Sequence, residues 1–146
     1  MLSPETLKNT GSSSVDSLKG NSCPSIGSGS EWIVDARGCD TELLQSQERL
    51  QALCESIVDD LGLNVVGSPQ WHQFPGPGGV TGLSLLSESH LAVHTYPEFR
   101  LLTLNLYCCC PRDEWPWEVE LQQRFCATEV SVQRVDRGPR DGEVSA

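Results

Sequence analysis

Residues 80–107 read VTGLSLLSESHLAVHTYPEFRLLTLNLY. Three apolar runs follow one another here: VTGLSLL, SHLAVHTY and FRLLTLNLY. Each is short and rich in leucine, β-branched or aromatic residues. Each is set off by polar or proline-containing junctions, so the stretch predicts three consecutive strands.

Working outward, PGPGG at 75–79 is a tight loop by composition. Before it, LNVVGSPQWHQF reads as a strand interrupted near Gly67 and Pro69. Further upstream Leu43, Leu44, Leu50, Leu53, Ile57, Val58 and Leu61 recur at helical spacing. They form one apolar stripe and predict a single helix that covers a sheet. Asp40 or Thr41 can cap its start and Gly62 stops it. EWIVDARG, from residue 31, predicts an earlier strand that Gly38 breaks. Downstream, PRDEWPW turns the chain, residues 118–128 predict a second helix, and EVSVQRV closes as a strand. The order is β-α-β-β-β-β-α-β. It predicts an α+β two-layer sandwich, an antiparallel sheet with helices packed on one face.

The chain has 146 residues, enough for one domain with a real core. Residues 1–30 hold nine serines and four glycines with few large apolar side chains. Such a segment buries too little surface to offset its ordering entropy and is expected to be a disordered tail before a domain at 31–146. Twenty acidic against ten basic residues give a net charge of -10. That charge disfavours phosphate backbones, so no nucleic-acid partner is expected, and it attracts cationic substrates. No apolar run reaches the roughly 18 residues of a membrane span, and residues 1–30 lack the apolar core of a signal peptide. A cytoplasmic location without membrane contact is expected. The seven cysteines then read as reduced thiols. Cys108, Cys109 and Cys110 are consecutive rather than spaced as zinc ligands, and no metal is expected.

The chemistry gathers in the middle strand. Alternation puts His90, Ala92, His94 and Tyr96 on one face and Ser89, Leu91, Val93 and Thr95 on the other. A bland polar edge strand would account for either histidine alone. A serine hydrolase needs an oriented third group and usually a Gly-x-Ser-x-Gly turn, and Ser89 sits in Glu-Ser-His. A different use of the hydroxyl fits better. Ser89 can attack the carbonyl of its own preceding peptide, turning the amide into an ester. A base can then remove the serine α-proton and eliminate the ester, which would leave a pyruvoyl group at a new chain start.

On these residues the chain resembles the prokaryotic S-adenosylmethionine decarboxylases, self-cleaving enzymes with a pyruvoyl prosthetic group. The resemblance spans about residues 31–138. It rests on VDARGCD, on GGVTGLSLLSESHLAVHTYPE, and on Cys109, fifteen residues after His94.

The resemblance implies cleavage between Glu88 and Ser89, giving a β chain of 1–88 and an α chain of 89–146. Ser89 becomes the pyruvoyl cofactor, which forms a Schiff base with the substrate amine. By similarity His94 is the processing base, Thr81 the hydroxyl that holds the cleavage intermediate, and Cys109 the thiol that returns a proton after carbon dioxide leaves. Phe74 and Tyr96 match positions that sandwich the adenine, and Glu98 the acid that binds the ribose hydroxyls. The product would supply aminopropyl groups for spermidine synthesis. A homodimer of αβ units, with sites formed between protomers, is the family's arrangement.

Several positions depart from the family pattern. Thr81 replaces a serine, Tyr96 a tryptophan, Arg100 a glycine and Asn105 an aspartate, and Cys108-Cys109-Cys110 stands for Thr-Cys-Gly. These changes are expected around the substrate pocket. They leave two alternatives open: a pyruvoyl-dependent ornithine or arginine decarboxylase, and a non-processing homologue that regulates an active partner. Phe74, Tyr96 and Glu98 speak against the first, and Ser89, His94 and Cys109 against the second.

Overall fold

The computed structural model describes residues 28–139. Its elements are β1 (Gly29–Arg37), α1 (Thr41–Leu44), α2 (Gln47–Asp60), β2 (Gln70–Gln73), β3 (Val80–Leu86), β4 (Ser89–Tyr96), β5 (Leu101–Cys108), α3 (Trp117–Phe125) and β6 (Glu129–Arg137). A 3-10 turn, Pro97–Phe99, joins β4 to β5. The strands form one sheet in the order β2-β3-β4-β5-β1-β6, antiparallel at every pairing. The predicted α+β sandwich is the observed architecture.

The sheet's inner face carries the core. Leu91 and Val93 of β4, Leu102, Leu104 and Leu106 of β5, and Trp32, Val34 and Ala36 of β1 are buried there. The helices answer with Leu44, Leu50, Leu53, Ile57, Leu121 and Phe125. Burying one such leucine contributes about 1.5–3 kcal/mol, so the two-layer arrangement follows from the apolar alternation itself. Thr95 is a buried polar member of this layer, with Ser30 and Ser84. Its hydroxyl donates to Leu44 O at 2.8 Å and accepts from Val80 N at 2.9 Å, tying α1 to the β3–β4 pair. Among the described residues no helix lies over the outer face, and Leu83 and Leu85 stand 47% and 60% exposed there, with Ile33 and Val135 nearby in kind.

Four boundaries differ from expectation. The single helix is two: α1 ends at Leu44 with Gln45 as its cap, and Ser46 caps the start of α2 by accepting from Arg49 N. Asp40 caps α1 in the same way through Leu43 N. The bend between the helices keeps Leu44 and Leu50 on one apolar stripe, which is why periodicity alone reads straight through it. The strand expected from residue 63 shrinks to Gln70–Gln73, because Gly67 takes a positive φ and Pro69 follows. Only a Val65–Leu86 bridge remains upstream. The second helix begins and ends earlier than 118–128, closed by Cys126 at φ 58°.

At the chain's start, β1 begins at Gly29, so Gly29 and Ser30 are strand rather than tail. Gly29 is required there: a Cβ would sit 2.5 Å from Cys108 O. The rest of the expected tail, residues 1–27, lies outside the described residues. Among the described residues no helix is long and apolar enough to cross a membrane.

Candidate active site

The expected site residues fall into two groups at opposite ends of the central strands. The first group surrounds the Glu88–Ser89 peptide. Leu86 pairs with Ser89 across a two-residue connection, and Ser89 pairs with Cys108 of β5. The Glu88 carbonyl is held: Cys109 N donates to Glu88 O at 2.9 Å. Arg112 reaches the same residue from the loop after β5, with Nη2 3.3 Å from Glu88 Oε2. The Ser89 hydroxyl is hydrogen-bonded to the Cys108 thiol. Burial pushes the Cys108 thiol up, and the bond to Ser89 only partly offsets this. Cys108 is therefore a neutral thiol beside Ser89, not a thiolate. Cys109 is half-buried beside it.

The second group lines a cleft of about 560 Å³ at the other end of β3 and β4, in the size range of a small-molecule site. Phe74, Thr81, His94, Tyr96 and Glu98 all line it. The loop PGPGG builds its wall, closed by a bond from Phe74 N to Gly79 O at 2.8 Å. Gly79 passes so close to β4 that a Cβ would meet Thr95 O at 2.6 Å. Phe74 is half exposed, its edge packed on His72 with ring centroids 4.5 Å apart. Thr81 and His94 are cross-strand partners, and their Oγ1 and Nδ1 stand 2.9 Å apart. A base role at His94 Nε2 requires Nδ1–H to donate to the threonine oxygen. Thr81 thus orients the imidazole as well as offering a hydroxyl.

Ser89 and His94 do not meet within one chain. Five residues of extended strand separate them by about 16 Å, and they lie on opposite faces. The structure brings Ser89 together with Cys108, Cys109 and Arg112, and His94 together with Thr81, Phe74, Tyr96 and Glu98.

Two expectations need correction. Arg100 does not face the cleft. Held at φ 51°, it donates to Cys39 O at 2.8 Å and Gly38 O at 3.1 Å, pinning the turn after β1. A left-handed position suits the family's glycine, and here the side chain's two bonds hold the same conformation. Cys110 is disulfide-bonded, so the expectation of seven reduced thiols does not hold. An odd total excludes complete pairing but not one bridge, and a bridge needs only two sulfurs in reach. Asn105, by contrast, does sit near the chemistry. It lines a small outer-face cleft with His94 and donates to Glu31, which also pairs with Arg137 at 2.6 Å.

The sequence reading did not single out Cys108 as the neighbour of Ser89, nor Arg112 at all. A second cleft of equal volume opens between α2 and the β2–β3 edge, lined by Val58, Val65, Trp71 and Ser84 among others. None of the site residues expected from the sequence lines it, so the Thr81–His94 cleft is the candidate site.

The family model for S-adenosylmethionine decarboxylase matches residues 30–138. The chain belongs to the S-adenosylmethionine decarboxylase family. Among its relatives, the S-adenosylmethionine decarboxylase proenzyme of Thermoplasma acidophilum is 35% identical over 114 residues, covering 77% of this chain and 86% of that protein. The corresponding proenzyme of Thermoplasma volcanium is 34% identical over 119 residues, covering 81% and 90%. The crystal structure of the adenosylmethionine decarboxylase from Aquifex aeolicus superposes with a TM-score of 0.65 at 25% identity. It covers 84% of this chain and all of that one. The chain is thus a member of a family of decarboxylases whose relatives are made as proenzymes.

Proposed function

We propose that the chain is a proenzyme that cuts itself between Glu88 and Ser89, converts Ser89 into a pyruvoyl group, and decarboxylates S-adenosylmethionine. The observation that carries the reading is the bond from Cys109 N to Glu88 O at 2.9 Å. That amide polarises the carbonyl Ser89 must attack and is in place to hold the oxyanion that forms. Attack by Oγ breaks the Glu88–Ser89 amide and leaves an ester with a free Ser89 amine. Removal of the Ser89 α-proton by His94 then breaks the Cβ–Oγ bond, and Glu88 departs as a carboxylate. Hydrolysis of what remains of Ser89 releases ammonia and leaves the pyruvoyl group. Once formed, that group supplies an electron sink for decarboxylation.

The separation of the two residue groups supports a homodimer whose sites are shared. An uncovered sheet face with exposed Leu83 and Leu85 supports burial against a second copy. In this arrangement His94, Thr81 and the aromatic cleft of one protomer face Ser89 and Cys109 of its partner. Cleavage cuts the β3–β4 connection and frees residue 89 to turn toward that cleft. Phe74 and Tyr96 offer two ring faces for an adenine and a nearby sulfonium, and Glu98 an acceptor for ribose hydroxyls. The half-buried Cys109 thiol is the proton donor to the substrate carbon. Ornithine or arginine would leave those rings and Glu98 idle.

Carbon dioxide release from carboxyl-labelled substrates tests the reading. Purified protein is expected to turn over S-adenosylmethionine and not ornithine or arginine. Equal or greater release from either amino acid would overturn the substrate assignment.

A further inference from the structure

We infer that Arg112 is the positioning residue for self-cleavage that compensates the charge on the Glu88 carboxylate as it leaves Ser89. The inference rests on the self-cleavage reading above.

Arg112 is an odd residue to find where it is. Its side chain is only 13% exposed, and its ion pair with Glu88 is a single 3.3 Å contact to a carboxylate that is 35% exposed. Its Nε–H is buried without an acceptor. A guanidinium offers five donors in a planar fork suited to carboxylates, and burying it with a donor unfilled is unfavourable. As a stability device the pair is poor. As a group prepared for a second carboxylate it is well placed.

Self-cleavage makes that second carboxylate on the same residue. In the ester, Ser89 Oγ is bonded to the Glu88 carbonyl carbon. When the Ser89 α-proton passes to the base, the Cβ–Oγ bond breaks and its electron pair leaves with Glu88. The serine oxygen becomes one of the two oxygens of a new chain-terminal carboxylate. Residue 89 is left unsaturated between Cα and Cβ. Negative charge therefore appears at the Glu88 main chain, which Cys109 N already holds against the loop that carries Arg112. The same guanidinium that touches the Glu88 side chain has an unfilled donor for it. After the cut, the pairing also keeps the β-chain end beside Arg112 and away from residue 89.

The test uses the full chain. Arg112→Gln, Arg112→Lys and wild type are followed by intact mass and denaturing gels during maturation, with and without hydroxylamine, which cleaves esters but not amides. Arg112→Gln is expected to mature about a hundredfold more slowly than wild type, the low end for loss of a group that stabilises developing charge. The uncut material should accumulate as the hydroxylamine-sensitive ester, the species just before the charge develops. Arg112→Lys keeps the charge and should mature within about threefold of wild type. Ester accumulation is a readout that general loosening of the loop would not produce. Maturation of Arg112→Gln at the wild-type rate overturns the inference. So does accumulation of hydroxylamine-resistant amide, or failure of Arg112→Lys as severe as that of Arg112→Gln. Wild type that never cuts removes the self-cleavage reading, a different result from a cut wild type with an equally cut variant.

Discussion

Two inactive variants should restore one another. In a single chain, Ser89 and His94 stand about 16 Å apart on opposite faces of β4, too far for proton transfer. The proposed dimer closes that gap by facing one protomer's His94 cleft to its partner's Ser89. Ser89→Ala keeps the cleft and loses the nucleophile. His94→Ala keeps the nucleophile and loses the base. Each should stay uncut alone. Equal mixing with free exchange gives dimers in a 1:2:1 ratio, so about half are mixed. Each mixed dimer contains one complete site, and its cut chain is always the His94→Ala one. About a quarter of all chains should therefore be cleaved, against nearly all in wild type. The assay is coexpression of the two variants with distinguishable tags, followed by denaturing gel. Absence of fragments in verified mixed dimers would refute the shared-site reasoning. So would fragments from His94→Ala alone, which would mean the base is not His94.

The buried Thr95 hydroxyl serves two partners, so Thr95→Val strands both Leu44 O and Val80 N. Equilibrium urea unfolding should show a loss of about 2–6 kcal/mol, about 1–3 for each of the two unsatisfied buried groups, at nearly constant side-chain volume. An unchanged midpoint would contradict the assigned bonds. Burial pushes the Cys39 thiol up to about 11 and Cys54 to about 12, from 9.0. The folded state then holds these protons more tightly than the unfolded state. Their contribution to stability is complete below pH 9 and is lost as pH rises through 9 to about 11–12. Cys54→Ala should flatten that alkaline loss, and an unchanged alkaline slope would contradict the burial account.

Much of the fold was legible because it depends on period. Leu91, Val93 and Thr95 alternate with His90, Ala92 and His94, and the structure places them on opposite faces as alternation demands. The break at Gln45–Ser46 was not legible from the stripe, because the bend preserves the stripe. Its signal was a second cap residue, Ser46, three positions before Arg49. The β1 start was hidden because Gly29 and Ser30 look like tail by composition, and only close approach to Cys108 O explains the glycine. For the site, the chemistry-bearing side chains were readable one by one from motif resemblance. Their division into two groups was also present in the alternation, since Ser89 and His94 differ by an odd number of positions. Arg112 gave no signal: a lone arginine in PRDEWPW reads as a solvated loop cation, and only burial against Glu88 distinguishes it.

The central claim is that this chain cuts itself at Glu88–Ser89. The most direct measurement is the intact mass of purified protein under denaturing conditions, with Ser89→Ala alongside. The account predicts two fragments, 1–88 and 89–146, the second lighter than its encoded mass by one ammonia, and an uncut Ser89→Ala control. A single uncut wild-type chain, indistinguishable in behaviour from the control, would contradict it.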